Sequence, residues 1–194
     1  MKRNSFILLI SFISFHLSGQ TGNQRIIKDG DRKFVYSDSS GVTESYKKYF
    51  GDSFSVPGIT TYDGKRITAA DRMNKTVFYN FWFVNCRPCV AEIPVLNRLA
   101  DKYKGDSILF IAITFDKEER IREFLQNHEF AFQIASIPQE EIEKIKKISF
   151  YPFSAITGRD GKLSFALFGR PAGRNQEDEL FRLLDKQVEA AILK

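Results

Sequence analysis

The two cysteines of the chain, Cys86 and Cys89, are the residues whose type and spacing most directly suggest chemistry. This C-x-x-C spacing allows three interpretations: a redox pair, half of a zinc site or a structural disulfide. Zinc needs more ligands, but no other cysteine is present and the only histidines are His16 and His128. A chain of 194 residues also buries a core without a disulfide staple. The sequence favours a redox pair and predicts neither a cofactor nor a metal.

Disulfide exchange needs a thiolate nucleophile, so the attacking cysteine needs a lowered pKa. We expect Cys86 to lie at a helix N-terminus, where unpaired backbone N–H groups favour an anion. Arg87 adds a positive charge, and Pro88 suits the first helical turn because its missing N–H loses no partner there. Cys89 would lie one turn further in and be less exposed. Cys86 is therefore predicted to attack and Cys89 to resolve the mixed disulfide.

A buried strand and a helix are predicted to flank the pair. Residues 76–84 (TVFYNFWFV) form a β-branched and aromatic run, which is typical of a central parallel strand buried on both faces. Apolar residues then recur at helical spacing from Pro88 to Tyr103, with Pro94 inside and expected to kink the helix. Cys86 should therefore lie where a strand gives way to a helix.

The rest of the chain alternates strands and helices and closes with a hairpin and a helix. Asp63-Gly64 predicts the tight turn of an N-terminal β-hairpin extension, because this dipeptide supplies positive φ angles. The order predicts an α/β fold with a mixed central sheet flanked by helices. The expected strands are 108–115, 132–134, 154–157 and 163–168, and the expected helices are 117–128, 140–148 and 177–193.

The N-terminus has the pattern of a secretory signal peptide over residues 1–19. A positive start precedes an apolar run from Phe6 to Leu17, and small residues stand before Gln20. The alternative is an uncleaved membrane anchor, but the run is shorter than the roughly 20 residues of a spanning helix, and no other segment could span a membrane. Residues 20–55 are predicted to be a partly ordered arm, and 56–194 the folded domain.

The distribution of charged residues bears on whether the protein binds nucleic acid. The formal charge is +5, and part of it belongs to Lys2 and Arg3 in the leader. Elsewhere acidic and basic residues are interleaved, without the sustained basic stripe that marks nucleic-acid binding. The sequence therefore predicts no nucleic-acid partner.

The segment FYNFWFVNCRPCVAEIPVLNRL resembles the active-site segment of the thioredoxin superfamily, most closely its extracytoplasmic TlpA/ResA-like branch. The similarity covers roughly residues 56–185 and implies a thioredoxin-like fold. Asn80 stands where thioredoxin usually carries a buried aspartate, as is common in this branch. Glu92 matches the branch's helical glutamate, and its carboxylate could exchange a proton with Cys89. The alternative for Glu92 is a solvated residue stabilised by the helix dipole.

The resemblance also implies a substrate surface. Pro152 matches the family's cis-proline, which packs against the cysteine pair, so Tyr151 should present its backbone to a bound client; the alternative is an ordinary trans proline. Asn85 replaces a usual tryptophan, and Tyr151 and Phe153 replace small or hydroxyl residues, which changes this surface and leaves the chemistry intact. The predicted substrate-binding residues are Arg87, Pro88, Tyr151 and Pro152.

The function expected from this resemblance is the reduction of disulfides in secreted client proteins. The leader and the resemblance together predict secretion across the inner membrane into the periplasm, with a membrane-anchored protein as the alternative. Because no dissolved reductant is expected outside the cytoplasm, a membrane-bound thiol–disulfide electron donor would supply the electrons. Two alternatives remain open: a thiol peroxidase-like antioxidant protein, and a thioredoxin-fold binding module that docks a partner through its arm. Peroxidatic sites usually place a Pro and a Thr before a lone cysteine, which VNCRPC does not match.

Overall fold

A computed structural model describes residues 25–29, 32–36, 44–171 and 175–193; the predicted signal peptide, residues 1–19, lies outside them. The strands are β1 (Arg25–Asp29), β2 (Arg32–Tyr36), β3 (Ile59–Thr60), β4 (Arg66–Ile67), β5 (Thr76–Phe81), β6 (Ile108–Thr114), β7 (Gln133–Ser136), β8 (Phe153–Thr157) and β9 (Leu163–Phe168). The helices are α1 (Glu44–Lys47), α2 (Ala69–Arg72), α3 (Arg87–Lys102), α4 (Glu118–Leu125), α5 (Gln139–Lys144) and α6 (Gln176–Ile192). None of the described helices is both long and apolar enough to cross a membrane.

The central sheet has the strand order β7-β6-β5-β8-β9. Strands β5, β6 and β7 are parallel, β8 runs antiparallel to β5, and β9 pairs antiparallel with β8 and so runs in the direction of β5 again. All six residues of β5 are buried, as expected for a strand covered on both faces. The predicted mixed sheet of an α/β fold is confirmed.

Helices cover both faces of this sheet because side chains along each strand alternate between them. On one face, Phe78 of β5 belongs to a buried cluster that includes residues of α3, α4 and α6. On the other face, Val77 and Tyr79 join a second cluster with residues of α1, α5 and the β3–β4 hairpin. The first cluster packs α3 against β5, and the second covers the opposite face of the same strand.

Element ends differ from the sequence prediction by a few residues. Strand β5 ends at Phe81 instead of residue 84, although the Trp82 N–H still donates to the Ile113 carbonyl at 3.0 Å. Helix α5 ends at Lys144 because Ile145 has an extended ψ of 91°, and Lys146 and Lys147 then have φ angles of +50° and +60°, which a right-handed helix excludes. Periodic apolar residues locate such elements but do not mark where they stop.

The predicted turn at Asp63-Gly64 joins two paired strands. Gly64 has a φ of +89° between β3 and β4, as Asp63-Gly64 predicts. Further upstream, β1 and β2 pair antiparallel. The predicted N-terminal hairpin extension is therefore present, and part of the arm forms a second strand pair.

The folded core extends upstream of residue 56. Tyr46 of α1 is buried, its ring lies 4.9 Å from that of Phe153, and its hydroxyl donates to the Lys146 carbonyl at 2.8 Å. Phe54 is also buried, and its N–H donates to the Gly161 carbonyl at 3.1 Å. These contacts favour a domain that includes residues 44–55, and the boundary at residue 56 stays a prediction.

Candidate active site

Cys86 and Cys89 lie where β5 gives way to α3 and are joined by a disulfide. Cys86 is the N-cap residue of α3, and its Sγ accepts from the Cys89 N–H at 3.3 Å. Arg87 and Pro88 occupy the first turn, as the missing proline N–H permits. A thiolate on Cys86 would therefore face unpaired N–H groups at a helix N-terminus.

The pair is buried beneath an exposed rim. In the disulfide state Cys86 is 4% exposed and Cys89 is 1% exposed, the order that the sequence predicts. Asn85, Arg87 and Pro88 around them are exposed. The exposed surface next to Cys86 along the chain is therefore formed by these three residues.

Glu92 belongs to a buried polar network behind the cysteines. It lies three residues beyond Cys89 on α3 and is only 2% exposed, so the alternative of a solvated glutamate is wrong. The Asn80 side-chain amide donates to Glu92 Oε1 at 2.7 Å and contacts Ser154 Oγ at 3.3 Å. Asn80 and Ser154 are register partners on β5 and β8, so the network joins a helix and two strands.

Burial raises the pKa of Glu92 to about 8, while the Asn80 hydrogen bond and the positive charge of Arg170 act in the opposite direction. Arg170 follows β9, and its buried Nε has no hydrogen-bond partner among the described residues. A carboxyl group with this pKa changes protonation in the range where thiols also ionise. Glu92 is therefore suited to take a proton from a thiol or return it.

Tyr151-Pro152 is a cis peptide bond, as the resemblance implies. Pro152 is buried and its carbonyl accepts from the Gly169 N–H at 2.8 Å. The ring of half-buried Tyr151 lies 5.5 Å from that of Phe83, three residues before Cys86, and 5.7 Å from that of Phe115. Phe83 and Phe115 stack at 5.4 Å, so three partly exposed rings form an aromatic cluster beside the cysteine turn.

Three residues near the site carry no distinctive sequence signal. Ser154 is placed near Asn80 by the pairing of β5 with β8. Arg170 acts on Glu92 through its positive charge. Asp116 lies two residues beyond the end of β6, and its place near the carboxyl end of a parallel strand is only a weak hint of a role. Its Oδ2 accepts from the Val84 N–H at 2.7 Å, two residues before Cys86.

In the described part of the chain, no group of three or more His, Cys, Asp or Glu side chains could hold a metal ion. His128 is exposed and stacks on Phe124, as expected for a surface residue. The cysteine pair and the buried Glu92 carboxyl group are the candidates for chemistry among the residues described here.

Comparisons with known proteins agree with this geometry. The model of the AhpC/TSA family matches residues 51–164. The thiol-disulfide oxidoreductase ResA of Bacillus thuringiensis subsp. konkukian is 30% identical over 126 residues, which cover 64% of this chain and 73% of the relative. The thioredoxin-like protein YneN of Bacillus subtilis is 25% identical over 126 residues, covering 63% and 73%.

A solved structure from Chlorobium tepidum, described as a thiol:disulfide interchange protein DsbE, superposes with a TM-score of 0.64 at 26% identity. It covers 74% of this chain and 97% of that one. Fold, cysteine geometry and relatives agree: the chain belongs to the AhpC/TSA family, has its thioredoxin-like fold and carries the cysteine pair of a thiol–disulfide oxidoreductase.

Proposed function

We propose that this protein is an extracytoplasmic enzyme that reduces disulfides of secreted client proteins by dithiol–disulfide exchange. The observation that carries the proposal is the placement of Cys86 as N-cap of α3, one turn before Cys89. The helix N-terminus favours the thiolate that exchange requires. The leader pattern supports export, and a membrane-bound thiol–disulfide donor would return the electrons.

The reaction has two exchange steps. The Cys86 thiolate attacks one sulfur of a client disulfide, so a mixed disulfide forms and the other client sulfur leaves as a thiolate. Cys89 then attacks Cys86 Sγ, which releases the second client thiolate and forms the Cys86–Cys89 disulfide. Two electrons pass from the pair to the client. Glu92, buried one turn beyond Cys89, takes the Cys89 proton in the second step.

The proposed substrate surface consists of Arg87, Pro88 and Tyr151 together with the backbone at the buried Pro152. The exposed Arg87 and Pro88 directly follow Cys86 in the chain. Tyr151 packs against Phe83, three residues before Cys86, and precedes the cis-proline. Such a surface, aromatic with one positive charge, suits an extended peptide with an apolar residue near its cysteine.

Cys86 is expected to react with iodoacetamide well before Cys89 in the reduced protein, because only Cys86 lies at the N-cap and near the rim. It should also react at a lower pH than a free thiol, whose pKa is about 8.5. Mass mapping after brief labelling measures both rates. Equal or reversed labelling would contradict the assignment of attacking and resolving thiols.

The pair is expected to be reducing, with a potential nearer thioredoxin's value of about −270 mV than the roughly −120 mV of the oxidant DsbA. The expectation follows the resemblance to extracytoplasmic reductases. Arg87 acts in the other direction, because stabilising the Cys86 thiolate makes a pair more oxidising. Equilibration with glutathione buffers measures the potential, and a value near that of DsbA would reverse the proposed direction of electron flow.

A thiol peroxidase is the second candidate, because the matching family model is that of AhpC/TSA proteins. The close Cys86–Cys89 disulfide favours exchange with protein clients instead. Hydrogen peroxide consumption by the pure reduced protein separates the two activities. A binding module would keep its partner after both cysteines are replaced by serine.

A further inference from the structure

The turn that carries Cys86 is attached to the neighbouring strand by one buried carboxylate. The ladder between β5 and β6 ends where the Trp82 N–H donates to the Ile113 carbonyl at 3.0 Å. Beyond that point the chain leaves the sheet. The next inward N–H, that of Val84, donates instead to Asp116 Oδ2 at 2.7 Å.

Asp116 is itself held in place from several sides. It is 6% exposed, and the Thr114 hydroxyl donates to the same Oδ2 at 2.9 Å. Its own N–H donates to Thr114 Oγ1 at 3.1 Å, and its carbonyl accepts from the Ser136 hydroxyl at 2.7 Å. Arg120 of α4 lies 3.7 Å from Oδ1. The carboxylate is thus a rigid acceptor connected to β6, β7 and α4.

A buried charge needs such partners, because an unpaired carboxylate would be costly to desolvate. A neutral side chain of similar size could fill the same position without the free-energy cost of burying a charge. The feature that a carboxylate adds is a short, charge-assisted bond to one backbone N–H of the cysteine turn. Val84 is two residues before Cys86, whose own N–H donates to the Phe83 carbonyl at 3.0 Å.

We propose that Asp116 is a positioning residue for disulfide exchange, holding the Phe83–Cys86 turn so that Cys86 Sγ stays at the N-terminus of α3. This inference rests on the proposed function for its biological meaning. The geometric claim is independent of it. Loosening the turn moves the sulfur away from the N–H groups that favour its thiolate and from the line of attack on a disulfide.

The test compares Asp116→Ala, Asp116→Asn and Thr76→Val with the wild-type protein. In each reduced protein, the rate of Cys86 alkylation by iodoacetamide and the rate of exchange with oxidised glutathione are measured. Asp116→Ala should slow both by about ten-fold or more, since small displacements of a reacting group have effects of this size. Asp116→Asn should keep both rates close to those of the wild-type protein, because the amide oxygen of asparagine can still accept from the Val84 N–H.

Thr76→Val is the matched control. Thr76 is fully buried at the opposite end of β5, where its hydroxyl donates to the Ala191 carbonyl at 3.2 Å. Its loss destabilises the same strand without touching the cysteine turn, so both rates should stay at the wild-type level. An equal slowing in Thr76→Val and Asp116→Ala would overturn the proposal, because general stability would then explain both.

Two further measurements keep the proposal testable if Asp116→Ala fails to fold. The Val84 amide should exchange its hydrogen slowly in the wild-type protein, and fast exchange would overturn the proposal. Thr114→Val keeps the carboxylate and removes its hydroxyl partner, so it should slow alkylation by a smaller factor; an unchanged rate would count against the proposal. If the wild-type protein does not react with oxidised glutathione, the proposed function is wrong. The alkylation rates and the exchange of the Val84 amide hydrogen still test the positioning role of Asp116 in that case.

Discussion

Cys89→Ser is expected to accumulate mixed disulfides with client proteins, whereas Cys86→Ser is expected to accumulate none. In Cys89→Ser the Cys86 thiol keeps its place at the N-cap of α3 and still attacks a client disulfide. No second thiol follows one turn later, so the adduct cannot resolve. Turnover should fall to the background rate in both variants, which makes this the largest expected effect.

Non-reducing gels of the extracytoplasmic fraction, followed by mass spectrometry, would show the adducts and identify the proteins in them. Cys86→Ser is the matched control, since it removes the attacking sulfur and leaves Cys89 in its more buried position. Absence of adducts in a folded, exported Cys89→Ser protein would count strongly against the client-reductase proposal. Adducts with membrane thiol–disulfide proteins would instead point to the electron donor.

Glu92→Gln is expected to remove an ionisation near pH 8 from the rate of the second exchange step. Glu92 has a pKa of about 8 because it is buried, and only its ionised form accepts the Cys89 proton. The wild-type rate should therefore rise as pH increases through about 8, while the variant should follow the ionisation of the Cys89 thiol alone. Stopped-flow resolution of a preformed mixed disulfide from pH 6 to pH 10 measures the difference.

The same substitution should change stability in a pH-dependent direction. Folding raises the pKa of Glu92 from 4.5 to about 8, so in that interval the native state holds a proton that the unfolded chain has released. The wild-type protein should lose up to about 1.4 kcal/mol of unfolding free energy for each pH unit there. Glutamine does not ionise and can still accept from Asn80, so Glu92→Gln should gain relative stability as pH rises.

Denaturant unfolding of the oxidised proteins at pH 5 and pH 8 measures this trend. Glu119→Gln is the control, because it removes an exposed glutamate from the first turn of α4. It should leave both the rate profile and the stability trend unchanged. If Glu92→Gln matches the wild type in both the rate profile and the stability trend, Glu92 has no role in proton transfer.

The local sequence by itself determined the secondary structure around the cysteine pair. The positions of the strand before Cys86 and the helix after it follow from apolar spacing, and the hairpin turn follows from the φ freedom of Gly64. The small number of cysteines and histidines disfavours a zinc site. The proline at Pro88 and the cysteine spacing predict the N-cap placement, because both features act within one helical turn.

Only the tertiary structure decided which groups surround the pair. Asp116 reaches Val84 across 32 residues because parallel strands bring their carboxyl ends together, and Asn80 reaches Ser154 across 74 residues through antiparallel pairing. Glu92 could be placed on a helical face from the sequence, but its burial and raised pKa depend on the strands packed against it. Composition and spacing act over a few residues, whereas desolvation and long-range hydrogen bonds arise only when the sheet closes.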